Sequence, residues 1–305
     1  MKIILGTLNV GSFINKTESK KILSFAGKKN FCSIDTSPNY GFFKAEKIIG
    51  KIIKKDRKKF TIFSKLGLEK NKKDKFIIKP KLTKNYIIDS INKSLKNLNT
   101  KYLDVIQIHA FNNKNNLNEV INTLVNLKKK KIIKKIGCVN FDLNQIIKFE
   151  KKYPGFFDVV QLHFNFYERK AITKLIPYCI KNKKKILINR SFASGIVFSN
   201  KNKNSKIFVS KRLKIKYQKL KFEIDYVNNL LRKHNLEESL FYLNWIKKLN
   251  FKKNLILGFR NHSQMKEIIS NSRKKISKNL INSINKKYLL KFKKKCISRP
   301  LSFHE

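Results

Sequence analysis

Phe31-Cys32-Ser33-Ile34-Asp35-Thr36-Ser37-Pro38-Asn39-Tyr40-Gly41 is the stretch from which the rest of the chain can be ordered. Its first half, Phe31–Asp35, has the composition of a short buried strand, and Pro38, Asn39 and Gly41 make the second half a loop. A carboxylate, Asp35, therefore stands at a strand end, with the phenol of Tyr40 five residues on. Two further apolar runs end in a reactive group: Phe60–Lys65 in an amine and Leu103–His109 in an imidazole. Three strands that each finish in a polar reactive residue form a constellation rather than an isolated motif.

Outward from that stretch, strand-like and helix-like runs alternate. Ile3–Leu5, Phe31–Asp35, Phe60–Lys65, Leu103–His109, Ile132–Val139, Phe157–Asn165, Ile186–Arg190 and Leu255–Gly258 read as strands. Helical spacing falls between them, at Thr17–Gly27, Phe43–Lys54, Thr83–Leu98, Leu117–Lys129, Leu143–Lys152 and Arg169–Lys181. A polar, lysine-rich loop is expected from the third strand through Pro80, and a looser region at Ser199–Lys211. Helices are expected near Leu213–Lys233, Leu236–Lys248 and Ser263–Ser270, followed by a basic tail. Regular βα alternation argues for parallel strands, and eight units argue for a closed (β/α)8 TIM barrel occupying residues 1–305 as a single domain. No Gly-x-Gly-x-x-Gly follows a strand, which counts against a Rossmann site.

The composition limits the alternatives. The 305 residues carry 71 Lys+Arg against 19 Asp+Glu, a net charge of +52. Such an excess raises nucleic acid or an anionic membrane as partners. The lysines, however, are scattered over nearly every expected helix and loop, and Lys, Asn and Ile share A/T-rich codons. Solvated faces are therefore favoured over a polyanion site, and no specific nucleic-acid or membrane partner is expected. Cys32, Cys138, Cys179 and Cys296 show no metal-ligand spacing and suit a reducing, cytoplasmic setting. The N-terminal apolar run is too short for a signal peptide, and no run approaches the ~18 apolar residues of a membrane span.

The ordered words Ile-Asp-Thr-Ser-Pro-Asn-Tyr-Gly (34–41), Ala-Glu-Lys-Ile-Ile-Gly (45–50), Ser-Lys-Leu-Gly (64–67) and Asp-Val-Ile-Gln-Ile-His (104–109) resemble those of the aldo-keto reductases. The resemblance covers nearly the whole chain. It implies a catalytic set of Asp35, Tyr40, Lys65 and His109. The family's usual N-terminal hairpin is not expected, since the first strand begins almost at Met1. Carbonyl reduction needs a proton for the oxygen as hydride reaches the carbon. A free phenol, with a pKa near ~10, is a poor acid at neutral pH. An adjacent ammonium favours the phenolate and lowers that pKa, so Lys65 would activate Tyr40, Asp35 would hold Lys65, and His109 would orient the carbonyl.

The same resemblance implies a nicotinamide cofactor, NADPH first and NADH as the alternative. Its contacts would be Gly6, Thr7, Asp35, Asn140, Gln161, Arg190, Ser191, Gly195, Gly258, Arg260 and Gln264. In Gly137-Cys138-Val139-Asn140-Phe141 the family's usual serine is Val139, and Ile268 stands where Asn is usual. Period-two alternation puts Gln161, His163 and Asn165 on one face, with His163 either a structural residue or a substrate contact. Arg190–Gly195 would wrap the pyrophosphate, and the loop opening a helix after Gly258 would take the adenosine phosphate. Phe111, Asn112, Phe198 and the tail Pro300–Glu305 are the candidate substrate-pocket residues. The expected activity is NAD(P)H-dependent reduction of an aldehyde, ketone or sugar carbonyl. The alternative is a cofactor-binding regulatory module with little turnover.

Overall fold

The computed structural model describes residues 1–28, 31–70, 78–112, 115–201 and 211–293. They fall into two compact units. The first comprises Met1–His163, Lys170–Asn189 and Lys253–Met265; the second comprises Phe164–Arg169, Arg190–Lys252 and the chain from Lys266 onward.

All eight expected barrel strands are present in the first unit, in the expected places. They are β1 (Lys2–Gly6), β2 (Ser33–Asp35), β3 (Thr61–Leu66), β6 (Leu103–Ile108), β7 (Ile133–Val139), β8 (Val159–His163), β9 (Lys185–Asn189) and β10 (Asn254–Gly258). They close in the order β1-β10-β9-β8-β7-β6-β3-β2 with every pairing parallel. The fold is therefore the (β/α)8 barrel. Alternate residues face the barrel axis. Ile4, Phe63, Val105, Val159, Leu187 and Ile256 form a buried apolar cluster there. Two residues further along the strands, the inward set turns polar: Lys65 follows Phe63, Gln107 follows Val105, Gln161 follows Val159 and Asn189 follows Leu187. This polar layer is the C-terminal mouth.

Helix starts obey capping chemistry. Helix α3 (Lys84–Leu98) is capped by Thr83, α4 (Leu117–Lys129) by Asn116, and α5 (Leu143–Lys152) by an Asp142–Gln145 capping box. In α3, Ile87, Ile91 and Leu98 are buried on one face. Helices α1 (Lys16–Lys28), α2 (Ala45–Ile53) and α6 (Leu175–Lys181) also belong to this unit.

Three expectations change. The loop through Pro80 contains an antiparallel pair, β4 (Leu68–Lys70) with β5 (Ile78–Pro80), in which Glu69 stands opposite Lys79. The helix expected over Arg169–Lys181 is broken into a 3-10 turn at Lys170–Ile172 and α6. Pro177 lies in the first turn of α6, where the missing N–H has no intrahelical partner to lose. The basic tail holds a helix, α10 (Lys278–Lys291), whose Ile281, Ile284 and Tyr288 are buried at helical spacing beneath its lysines and asparagines.

The second unit is helical, with α7 (Lys211–Lys233), α8 (Glu238–Lys248) and α10 in mutual contact. Phe166, Phe241, Tyr242, Trp245 and Tyr288 form its aromatic core. The Arg169 guanidinium lies 4.5 Å from the Phe166 ring centroid and 4.7 Å from that of Trp245.

Candidate active site

Sequence places Asp35 at the end of β2, and backbone bonds fix the loop beyond it. Thr7 donates both its N–H (3.0 Å) and its hydroxyl (2.9 Å) to the Asp35 carbonyl. Thr36 donates its N–H to Phe63 (2.8 Å), and Tyr40 closes the loop by donating to the Ser37 carbonyl (3.0 Å). Gly41 then takes φ +58°, where a Cβ would lie 1.8 Å from the Val10 carbonyl oxygen. Only glycine fits that approach. Phe42 and Phe43 continue with φ of 51° and 66°. Such left-handed conformations cost of order 1–3 kcal/mol each in non-glycine residues and cluster at functional turns. Here they lie directly beyond Tyr40.

Lys65 is fully buried, and its ammonium donates to Asp35 Oδ1 (2.8 Å), Asp35 Oδ2 (2.7 Å) and the Thr36 carbonyl (2.8 Å). Its Nζ lies 4.7 Å from the centroid of the Tyr40 ring. Desolvation favours the neutral amine most strongly, but Asp35 and the Tyr40 oxygen together outweigh it and hold the Lys65 pKa above its ordinary value. Burial raises the Asp35 carboxyl, while Lys65 and Gln107 pull against that rise.

His109 lies just past β6 and donates its N–H to the Leu66 carbonyl (2.8 Å). Its ring sits edge-on to Tyr40, centroids 6.5 Å apart. Burial, then the charge of Lys65 and the neighbouring His163, lowers its pKa to about 3. The imidazole is therefore neutral near pH 7, and its buried Nδ1 has no hydrogen-bond partner. The structure thus brings Asp35, Tyr40, Lys65 and His109 to one mouth of the barrel.

Gln107 is a site residue that sequence reading missed. It is fully buried, stands in register with Lys65, and donates from Nε2 to Asp35 Oδ1 at 3.3 Å. Its position two residues before His109 is the signal that could have found it. Buried Glu46 lies behind the neighbouring strand position and accepts from the Ser64 hydroxyl at 2.7 Å.

Several expected cofactor contacts lie on the same rim. Gln161 is buried, and its Oε1 has no partner, an acceptor suited to an amide N–H such as the nicotinamide carboxamide. Exposed Asn140, at φ 57°, donates its N–H to the Gln161 carbonyl (2.7 Å). Gly6 and Gly258 pair in register across β1 and β10, leaving a rim without side chains. Thr7, by contrast, directs its hydroxyl to Asp35, so its visible work is positioning. Arg260 is half-buried, and desolvation lowers its pKa. Its N–H donates to Gln264 Oε1 (2.8 Å), while the Gln264 N–H donates to Asn261 Oδ1 (2.8 Å) at the start of α9 (His262–Asn271). The Gln264 amide oxygen is thereby engaged. His163 is half-buried and in register with Asn189, whose Oδ1 is a second buried acceptor with no partner.

The second unit carries Arg190, Ser191 and Gly195. Arg190 has φ 57°, Ser191 is buried with no partner for its hydroxyl oxygen, and Ala193, Ser194 and Gly195 have φ of 48°, 63° and 86°. The Ala193 and Gly195 N–H groups donate to the Arg190 and Phe192 carbonyls, both at 2.8 Å, so they are already satisfied within the chain. Among the pocket candidates, Phe111 packs edge-on against Phe149 (4.9 Å) and Phe198 lies 5.1 Å from Phe192. Asn112 donates its N–H to Asn115 Oδ1 (3.0 Å). Pro300–Glu305 lie outside the described residues.

The chain is similar to known proteins in sequence and in fold. The family model described as "Aldo/keto reductase family" matches residues 2–289. An aldo-keto reductase of Bacillus subtilis (strain 168) is 27% identical over 202 residues, covering 64% of this chain and 60% of that protein. The versiconal hemiacetal acetate reductase of Aspergillus parasiticus is 25% identical over 207 residues, 59% of this chain and 60% of that protein. The chain thus matches about three fifths of the length of each. The NADH-specific methylglyoxal reductase of Escherichia coli (strain K12) is 28% identical over 160 residues, 49% of this chain and 48% of that protein. Among solved structures, a glycerol dehydrogenase from Gluconobacter oxydans superposes with a TM-score of 0.77 at 21% identity, covering 95% of this chain and 91% of its own. The barrel, the polar C-terminal mouth and the match over residues 2–289 lead to one assignment: the chain belongs to the aldo/keto reductase family.

Proposed function

We propose that the chain is an NADPH-dependent reductase of a small aldehyde, ketone or sugar carbonyl, acting in the cytoplasm, with Tyr40 as the proton donor. The observation that carries this reading is the buried Lys65 ammonium, gripped by both Asp35 oxygens and lying against Tyr40. If the Tyr40 oxygen raises the Lys65 pKa, the ammonium must by reciprocity favour the Tyr40 phenolate. That makes the phenol a better acid toward a developing alkoxide. Neutral His109 would orient the carbonyl as a hydrogen-bond partner. With a pKa near 3 it does not carry the proton itself.

The nicotinamide supplies the hydride when bound. Gln161 and Asn140 would hold its carboxamide, Gly6 and Gly258 would admit it at the rim, and Arg260 with Gln264 would take the adenosine phosphate. Gly195, Arg190 and Ser191 would serve the pyrophosphate, through the Ser191 hydroxyl rather than the engaged N–H groups. The names of the relatives, which include a methylglyoxal reductase and a versiconal hemiacetal acetate reductase, support a carbonyl compound or its hemiacetal as the substrate class.

NADPH oxidation measured over a panel of aldehydes, ketones and nucleotide sugars tests this reading. Turnover of at least one class supports it. NADPH binding with no carbonyl reduced would replace it with the regulatory-module reading.

A further inference from the structure

Two residues before the apolar layer, the inward positions of the strands lie at the other end of the barrel interior. Three of these positions are lysines. Lys2 precedes Ile4 by two residues, Lys185 precedes Leu187 by two, and Lys135 precedes by two Gly137, the register partner of Val159 in that layer. Gly137 faces inward, because a Cβ there would meet Gln107 Cγ at 3.2 Å and Val159 Cβ at 3.1 Å. The Lys185 ammonium lies 5.1 Å from the centroid of the Phe63 ring in the apolar layer. All three lysines are exposed, and among the described residues none forms an ion pair.

The carboxylates at this end take the intervening outward positions and are engaged. Asp104 pairs with Arg57 (2.8 Å) and Lys134 (3.1 Å), and Asp158 pairs with Lys128 (2.7 Å). Desolvation, then the ammonium groups of Lys135 and Lys2, holds Lys185 below the ordinary lysine pKa. Among the described residues, three like charges thus share one rim with no carboxylate between them. A monovalent anion leaves most of that repulsion in place, whereas a compact multivalent one relieves it for all three. The cluster rings a barrel end rather than forming the stripe a polymer backbone needs.

We propose that the N-terminal mouth of the barrel binds a small phosphate-class oxyanion through Lys2, Lys135 and Lys185. The site is independent of the C-terminal mouth and of the carbonyl chemistry assigned there.

Calorimetric titration of the full chain with inorganic pyrophosphate, at a fixed ionic strength of about 0.15 M, tests it. Native protein should bind saturably. Lys135→Met and Lys185→Met should each weaken binding about tenfold, the size of one near-surface charge contact. Lys185→Arg, which keeps the charge, should retain binding. Lys96→Met, of equal charge change on an exposed face of α3, should bind as the native chain does, and Arg260→Ala, at the opposite mouth, should keep the binding that depends on Lys135 and Lys185. Thermal melts without pyrophosphate check the fold, and Lys185→Met should melt no lower than native because it removes a repelled charge. No saturable binding, equal losses in Lys96→Met, or a loss confined to Arg260→Ala would overturn the proposal.

Discussion

Lys65 and Lys185 occupy opposite ends of one barrel interior, on either side of Phe63. Lys65 follows Phe63 by two residues on β3, and Lys185 lies against the Phe63 ring. Lys65 is fully buried and Lys185, though exposed, is partly desolvated, and desolvation alone would lower both pKa values. Lys65 meets a carboxylate, a carbonyl and a phenol, and its pKa is held up. At Lys185 desolvation, then the charges of Lys135 and Lys2, holds the pKa down. The side chain is the same; what differs is the company kept across the strands. The comparison separates a lysine committed to an internal partner from one that has only an external partner to gain.

The largest break in that comparison is Lys65→Met. It leaves the buried Asp35 carboxylate without its cation, which should cost about 3–5 kcal/mol in chemical denaturation. Adding Asp35→Asn should recover part of the loss, since the stranded charge is then gone. A cost near that of a surface pair, below about 1 kcal/mol, would put Lys65 in the same class as Lys185.

The next effect is in pH. His109 titrates near 3 in the fold against 6.5 in the unfolded chain, so the unfolded state binds more protons between those values. Its share of stability is complete above pH 6.5 and falls away as pH drops toward 3. By pH 5 about 2 kcal/mol should be lost. His109→Gln should flatten this part of the stability profile, and an unchanged profile would mean that the imidazole is not held neutral.

Arg260→Ala should weaken NADPH about tenfold, or about 1.4 kcal/mol, while leaving NADH nearly unchanged, because a guanidinium can fork onto a 2′-phosphate. Fluorescence titration of both cofactors measures it, and equal losses for the two would remove Arg260 from the phosphate. The smallest effect belongs to the other mouth: Lys185→Met should change carbonyl turnover less than about twofold, since like the other exposed substitutions it removes no buried partner.

The barrel was legible because eight apolar runs of strand length recur between helical ones, and each needs only local pattern to be seen. Asp35, Tyr40, Lys65 and His109 could be picked out as a candidate set because they occur together in the order of the family they resemble; each alone reads as an ordinary strand-end or packed residue. Gln107 was not legible, since an amide inside an apolar run reads as a defect until the register sets it beside Lys65. The Thr7 hydroxyl could be placed near the mouth, but not its commitment to the Asp35 carbonyl, which depends on a neighbouring strand. Helix α10 was hidden by its lysines and asparagines, which depress the overall hydrophobicity although Ile281, Ile284 and Tyr288 hold the spacing. The lysine ring escaped for the opposite reason. In a chain with 71 Lys and Arg, three lysines among them carry no message until the alternation of inward positions gathers them.

The central claim is that Lys65 makes Tyr40 the acid. Tyr40→Phe removes one hydroxyl while the ring still packs beside Lys65 and His109. Steady-state turnover on the best carbonyl from the substrate panel, measured alongside NADPH affinity and thermal stability, tests the claim most directly. Turnover should fall ~10²–10⁴-fold, the usual share of general acid catalysis, with affinity and stability near native. Native turnover in Tyr40→Phe would contradict the account and reduce Tyr40 to a packed aromatic.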